Sequence, residues 1–167
     1  MSDKSKSFHG LRHENIRITE LDAFRSLSSF SFRECKDCRI SVEVPCASVF
    51  LHGLNFCSVT VSGVLGSIQV SDCSSSTIQG FCSQLRITDC KDIIVEVQTN
   101  SSTAIDNSAG IRISPPCIIA KDSHFAISAN HLGWDVENLM KSTKWRDVRD
   151  FNCLSGDSTN WSFTSIN

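Results

Sequence analysis

Apolar residues recur along this chain at a spacing close to 18, and polar residues fill the positions between them. Cys35, Leu54, Cys73, Cys90 and Ser108 are equivalent; successive members lie 19, 19, 17 and 18 residues apart. Five positions after each come Ile40, Val59, Ile78, Val95 and Ile113, and seven after come Val42, Val61, Gly80, Val97 and Pro115. Three before come Leu51, Val70, Ile87 and Ile105, and five before come Val49, Ile68, Leu85 and Thr103. Arg39, Ser58, Thr77 and Arg112 mark a polar column between them, interrupted by Ile94. Alternation of this kind marks strands with one buried face. A unit this short cannot bury its apolar side alone, whereas stacked units share one core of like residues in ladders. The pattern predicts an all-β fold, a right-handed parallel β-helix (β-solenoid) of about five coils over residues 32–115. An antiparallel sandwich also has short strands, but it has no reason to keep so regular a register.

Outside the repeat the signals change. Residues 1–7 are polar and predict a disordered tail. Residues 8–31, with Leu11, Ile16, Ile18 and Leu21, predict an irregular first coil that caps the stack. Pro115-Pro116 ends the regular repeat. The segment 116–167 holds Trp134, Trp145 and Trp161 and a short helix at 135–141; it is expected to wrap back and bury its aromatics against the solenoid. Residues 8–167 then form a single domain.

Composition narrows the function. The chain has 167 residues, a net charge of −2 and 20% charged residues. This balance does not point to nucleic acid or to an anionic membrane. The apolar runs are too short to span a bilayer, Met1–Ser7 carries no signal peptide, and Ser2 excludes N-myristoylation. No membrane anchor is expected. Nine cysteines, including the pair Cys35 and Cys38, resemble a zinc or disulfide signature. Yet Cys35, Cys73 and Cys90 share one inward column, Cys38 and Cys57 a second, and Cys46 and Cys82 a third. Buried free cysteine behaves as a small apolar side chain, and a zinc site needs a second close pair that is missing. Reduced core thiols in a cytoplasmic protein follow, and the sequons at Asn100 and Asn160 become chance matches. The five histidines show no metal spacing, and no phosphate-binding loop is present; no metal and no cofactor are expected. Asp72, Asp89 and Asn107 stack one coil apart, but at a strand-to-turn junction, where Asp and Asn serve turns rather than sugar cleavage.

The segment Ser83-Gln84-Leu85-Arg86-Ile87 carries the candidate chemistry. Leu85 and Ile87 belong to inward columns, so Gln84 and Arg86 both point outward. The repeat places Arg86 between Gln69 and Ala104, and Gln84 between Ser67 and Ser102. None of these neighbours is a carboxylate that would neutralise the guanidinium. Phe50 occupies the same outward column two coils away and is a candidate contact anchor. On the residues alone, Arg86 reads either as a solvated surface arginine or as a group able to enter a partner's nucleotide site.

Three stretches resemble a known family. They are Gly80-Phe-Cys-Ser-Gln84-Leu85-Arg86-Ile87, Ala104-Ile-Asp-Asn-Ser-Ala-Gly-Ile111, and a tail with Trp145, Val148, Asp150, Phe151 and Leu154 followed by Asn160-Trp161-Ser162. Together they resemble the C-terminal domain of tubulin-binding cofactor C over residues 30–163. Ser83 and Thr88 stand where that family usually has glutamine and histidine, and Cys153 where it has tryptophan. The resemblance implies a β-helix that stimulates GTP hydrolysis by GTP-bound β-tubulin, acting with cofactors D and E in tubulin heterodimer assembly, in the cytoplasm and associated with the cytoskeleton. It implies a catalytic role for Arg86; from the stack, Gln84 beside it is expected to orient a water or a backbone group of the partner, and the neighbouring Phe50, Gln69, Ser102 and Ala104 are expected partner contacts. A related branch implies an alternative partner, an Arf-like small GTPase. Cyclase-associated protein, a relative by fold, implies a non-catalytic cytoskeletal scaffold.

Overall fold

The inward columns do stack. In the computed structural model, which describes residues 5–19, 27–116, 123–153 and 155–164, Ile16, Ile40, Val59, Ile78, Val95 and Ile113 are successive partners in one parallel ladder. From Ile40 onward these side chains are buried. Among the described residues twelve strands make up the sheet. They are β1 (Ser5–His9), β2 (Asn15–Ile18), β3 (Ser29–Arg33), β4 (Arg39–Val42), β5 (Ser48–His52), β6 (Ser58–Ser71), β7 (Ser74–Thr88), β8 (Lys91–Thr99), β9 (Thr103–Asp106), β10 (Ile111–Ile113), β11 (Val148–Asp150) and β12 (Trp161–Phe163). Among the described residues every strand pairing is parallel, which excludes the sandwich.

Two faces result. The first stacks β1, β3, β5, the C-terminal halves of β6 and β7, then β9 and β11. The second stacks β2, β4, the N-terminal halves of β6 and β7, then β8, β10 and β12. About four turns are complete, slightly fewer than the five the repeat predicts. Each corner between the faces uses two left-handed residues three apart: Gly10 and His13, Glu34 and Asp37, Gly53 and Phe56, Asp72 and Ser75, Asp89 and Asp92, Asn107 and Gly110. Asp, Asn and Gly tolerate this conformation best. Asp72, Asp89 and Asn107 thus serve the turn, and Asn107 Nδ2 donates to Asp89 Oδ1 at 2.5 Å.

The cysteine columns follow the same corners. Cys35, Cys73 and Cys90 each donate a thiol hydrogen bond to the carbonyl two residues earlier, at 3.2–3.4 Å. Ser108 occupies the equivalent position and makes the same bond at 2.9 Å. Cys38, Cys57 and Ser76 repeat the arrangement three residues later. Cysteine and serine are interchangeable here because each satisfies a corner carbonyl while filling little space. Cys46 and Cys82 flank Val64 where the chain passes from the second face back to the first, and burial pushes both thiols up to about 12. Seven described cysteines are buried and free, and Cys153 is half-buried; Cys117 lies outside the described residues.

Both ends depart from the sequence-based expectation. Ser5–Ser7, assigned to a disordered tail, belong to β1 and pair in register with Ser29–Ser31; residues 1–4 lie outside the described residues. The first coil is not irregular, since β1 and β2 extend both faces. Its Leu11 corner precedes that of Cys35 by 24 residues rather than 18, which broke the counted period. Leu21 lies outside the described residues. The C-terminal segment does fold back, but through more than aromatic packing. Helix α1 (Ser123–His131) docks Phe125 against Phe81, whose ring also meets Trp134 at 4.2 Å. Helix α2 (Val136–Lys141) begins at the capping side chain of Asp135 and is held to β8 by the Gln98 amide, which donates to the Leu139 and Ser142 carbonyls. The chain then supplies β11 and β12, one more rung on each face. Trp145 is buried, and Trp161 pairs with Ile111 in the ladder.

Candidate functional site

Strand β7 crosses from the second face to the first, and its bend determines where the candidate arginine emerges. Gly80 has φ +142°, and a Cβ there would lie 2.1 Å from the Val61 carbonyl oxygen; only glycine permits so close an approach. Beyond the bend, the Ser83 hydroxyl donates to the Leu65 carbonyl, and the Ser101 hydroxyl donates to the Ser83 carbonyl at 2.9 Å. Ser83 therefore links three rungs, one through its hydroxyl and one through its carbonyl. Leu85 and Ile87 then enter the core, at most 1% exposed. Gln84 and Arg86 are consequently held outward on a strand paired on both sides.

The register places Ser7, Ser31, Phe50, Gln69, Arg86, Ala104 and Arg149 in one outward row. Gln84 pairs with Ser67 in the row beside it. Among the described residues no hydrogen bond or ion pair engages the Arg86 guanidinium, and Gln84 is likewise unengaged. Both open into a concavity of about 340 Å³ lined by Ser67, Gln69, Gln84, Arg86, Ser102 and Ala104, with Arg149 and Phe151 closing its far side. Phe50 is 38% exposed on the same row but does not line the concavity.

Arg149 and Phe151 were not among the site residues read from the sequence. Arg86 and Ala104 are 18 residues apart, but the next rung lies 45 residues further on, beyond both helices. Phe151, 56% exposed, follows Asp150, which is buried. The Asp150 carboxylate accepts hydrogen bonds from Ser158 Oγ, Asn160 Nδ2 and the Asn152 backbone N–H. Burial acts to raise its pKa, but these donors outweigh that effect and hold it below the ordinary aspartate value. Asp150 thus ties β11 to the segment leading into β12 and fixes the two residues that flank it. Arg149 itself has one loose contact, Nε to Asp147 Oδ1 at 4.0 Å, with both side chains exposed. Among the described residues no three His, Cys, Asp or Glu side chains converge on a metal position.

The tubulin binding cofactor C family model matches residues 27–151, three quarters of the chain. This chain belongs to that family. It is 27% identical to the tubulin-folding cofactor C of Arabidopsis thaliana over 138 residues, covering 82% of this chain and 38% of the relative. It is 30% identical to the tubulin-specific chaperone C of Homo sapiens over 111 residues, covering 64% of this chain and 30% of that protein. The tubulin binding cofactor C structure from Leishmania major superposes with a TM-score of 0.66 at 18% identity, covering 78% of this chain and 85% of the other; that likeness shows the fold. The chain spans well under half the length of the curated relatives it matches. Among the described residues no helix is long and apolar enough to cross a membrane.

Proposed function

We infer that this cofactor C domain acts in tubulin folding as a GTPase activator and inserts Arg86 into the nucleotide site of GTP-bound β-tubulin. The observation that carries this reading is a guanidinium that is unengaged among the described residues, held outward on a doubly paired strand, in a concavity that none of their carboxylates lines. Phosphoryl transfer leaves charge on the transferring oxygens, and an arginine supplied by a partner stabilises it by roughly 10³ to 10⁵ in rate. A rigid strand suits that task, because the cation needs little rearrangement as the transition state forms. Gln84 orients the attacking water or a backbone group of the partner, while Gln69, Ser102 and Ala104 form the uncrowded surround that lets the partner approach. Phe50 adds an apolar contact further along the row. The named relatives are tubulin-folding and tubulin-specific proteins, which favours tubulin over an Arf-like GTPase as the partner.

The test is single-turnover GTP hydrolysis by tubulin with cofactors D and E, with and without this protein. Stimulation that disappears in Arg86→Ala but survives in Gln69→Ala supports the finger assignment. Tubulin binding without any stimulation by the wild type would identify a non-catalytic scaffold instead.

A further inference from the structure

The far side of the Arg86 concavity carries a second cation whose environment differs from that of the first. Arg149 lies in the same outward row as Arg86, with only the methyl group of Ala104 between them. Two rungs separate their backbones, roughly 9.5 Å at ordinary strand spacing. The residues that line the concavity bring two guanidinium groups and, among the described residues, no carboxylate. These two cations sit on a chain whose net charge is −2, and Asp147 meets Arg149 from outside the concavity lining. Arg149 is only loosely engaged: its contact with Asp147 is long and exposed at both ends, the kind of pair that contributes little in water. Its backbone, by contrast, is held firmly through the buried Asp150 carboxylate beside it.

We propose that Arg149 makes this concavity the acceptor for an acidic segment of the partner protein, pairing with a carboxylate there while Arg86 stays free for phosphate. The two arginines then divide the work of the site. Arg149 governs how tightly the partner docks, and Arg86 governs how fast the docked complex turns over. The spacing supports this division, because a group that fills the Arg86 end of the concavity leaves the Arg149 end for a separate anion. Phe151, exposed beside it, supplies an apolar edge against the stem of the acidic side chain. The identity of the partner rests on the tubulin reading given above; the acidic character of the docking segment rests on Arg149 and on a lining that, among the described residues, holds no carboxylate.

The experiment has one arm without tubulin and one with it. In the first, an oligoglutamate peptide is titrated into the isotopically labelled full chain at low salt, and amide shifts are followed by NMR. Shifts centred on Ala104, Arg149 and Phe151 are expected, and Arg149→Glu should abolish them. Shifts elsewhere, or shifts that Arg149→Glu leaves unchanged, would overturn the proposal whatever the partner is. In the second arm, stimulated hydrolysis by tubulin is measured against concentration. Arg149→Glu should raise the half-stimulating concentration about tenfold or more while leaving the maximal rate within about twofold, since reversing a charge at a docking rim acts on association. Arg86→Ala should do the reverse. A lowered maximum with unchanged half-saturation for Arg149→Glu would place Arg149 on the phosphates and overturn the carboxylate assignment. Peptide binding without any tubulin response would leave the acidic docking site standing and remove the tubulin reading. Unchanged melting of Arg149→Glu shows that the variant is folded.

Discussion

Strand β7 presents outward side chains on both faces of the solenoid, and the two faces treat them differently. On the second face Gln79 is bonded across rungs in both directions: Thr60 Oγ1 donates to Gln79 Oε1 at 3.3 Å, and Gln79 Nε2 donates to Glu96 Oε2 at 2.6 Å. A few residues later on the first face, Gln84 and Arg86 also sit in the parallel ladder but, among the described residues, have no such partners. Gln79 and Arg86 each have a ladder partner on both sides, so the difference lies in the neighbours: Thr60 and Glu96 for one, Gln69 and Ala104 for the other. A row whose polar groups satisfy one another stabilises the coil stack. A row whose polar groups stay open leaves their hydrogen-bonding capacity for another molecule.

The largest effect should come from removing the framework that both rows share. Val59 is fully buried in the central ladder, and Val59→Asp would place an unpaired charge there at a cost on the order of 5 kcal/mol. That rivals the entire stability of a domain of this size. Loss of the cooperative thermal transition and of the strand signal in circular dichroism is the expected result. A folded Val59→Asp variant would mean that the ladders do not carry the fold.

Next in size is Arg86→Ala, which separates the rows by function. Stimulated hydrolysis should fall about a thousandfold, because the interaction forms mainly in the transition state. Stability should stay within about 0.5 kcal/mol of wild type, since the side chain is exposed and fills no cavity. Arg86→Lys should also be poor, because a point charge does not reproduce the planar fork that spans two oxygens. Near-full stimulation by Arg86→Ala in the single-turnover assay would sink the finger assignment.

These central rungs are also where the sequence was most readable. Ile40, Val59 and Ile78 announce a ladder because like residues recur at one spacing, and inward Leu85 and Ile87 orient Arg86 between them. The ends were harder for physical reasons. In β1 only Phe8 and His9 break a run of Ser and Lys, and the 24-residue step to the next corner hid the match. Helix α1 reads SHFAISANH, rich in residues that disfavour helix interiors; it forms because Phe125 and Ala129, four apart, dock on the aromatic patch around Phe81. β11 and β12 follow a long excursion through two helices, so neither period nor composition gave their register. Arg149 and Phe151 escaped notice for that reason, although Asp150-Phe151 stood within the recognised tail motif.

Asp150 offers a smaller effect confined to the open row. Asp150→Ala removes the acceptor of three hydrogen bonds and should cost about 2 kcal/mol, loosening β11 and so the Arg149 wall. Faster amide exchange at Val148–Asp150 than in β6 is the measurement. The pH dependence follows the same carboxylate. Its folded pKa is depressed, so its contribution is complete above the ordinary aspartate range and is lost as pH falls through the folded value, below about pH 4. Asp150→Asn should lack that acid-linked step. An unchanged acid profile would show that the carboxylate is not what anchors the strand.

The smallest effects give the sharpest form of the comparison, because they exchange one residue type between the two faces of one strand. Gln79→Ala removes two cross-rung hydrogen bonds and takes one donor from Glu96, so it should lower stability by about 1 kcal/mol. Its effect on stimulated hydrolysis should be nil if, as proposed, the partner docks on the first face. Gln84→Ala should behave in the opposite way. It breaks no bond within the chain, so the melting temperature should not move, yet the maximal stimulated rate should fall about tenfold as a water-orienting group is lost. Thermal melts and single-turnover hydrolysis on the two variants, side by side with wild type, read out all four quantities. If Gln84→Ala were destabilising, the glutamine would be part of the satisfied framework after all. If Gln79→Ala slowed hydrolysis at unchanged stability, the active surface would lie on the second face, and the contrast between bonded and open rows would no longer mark where this domain meets its partner.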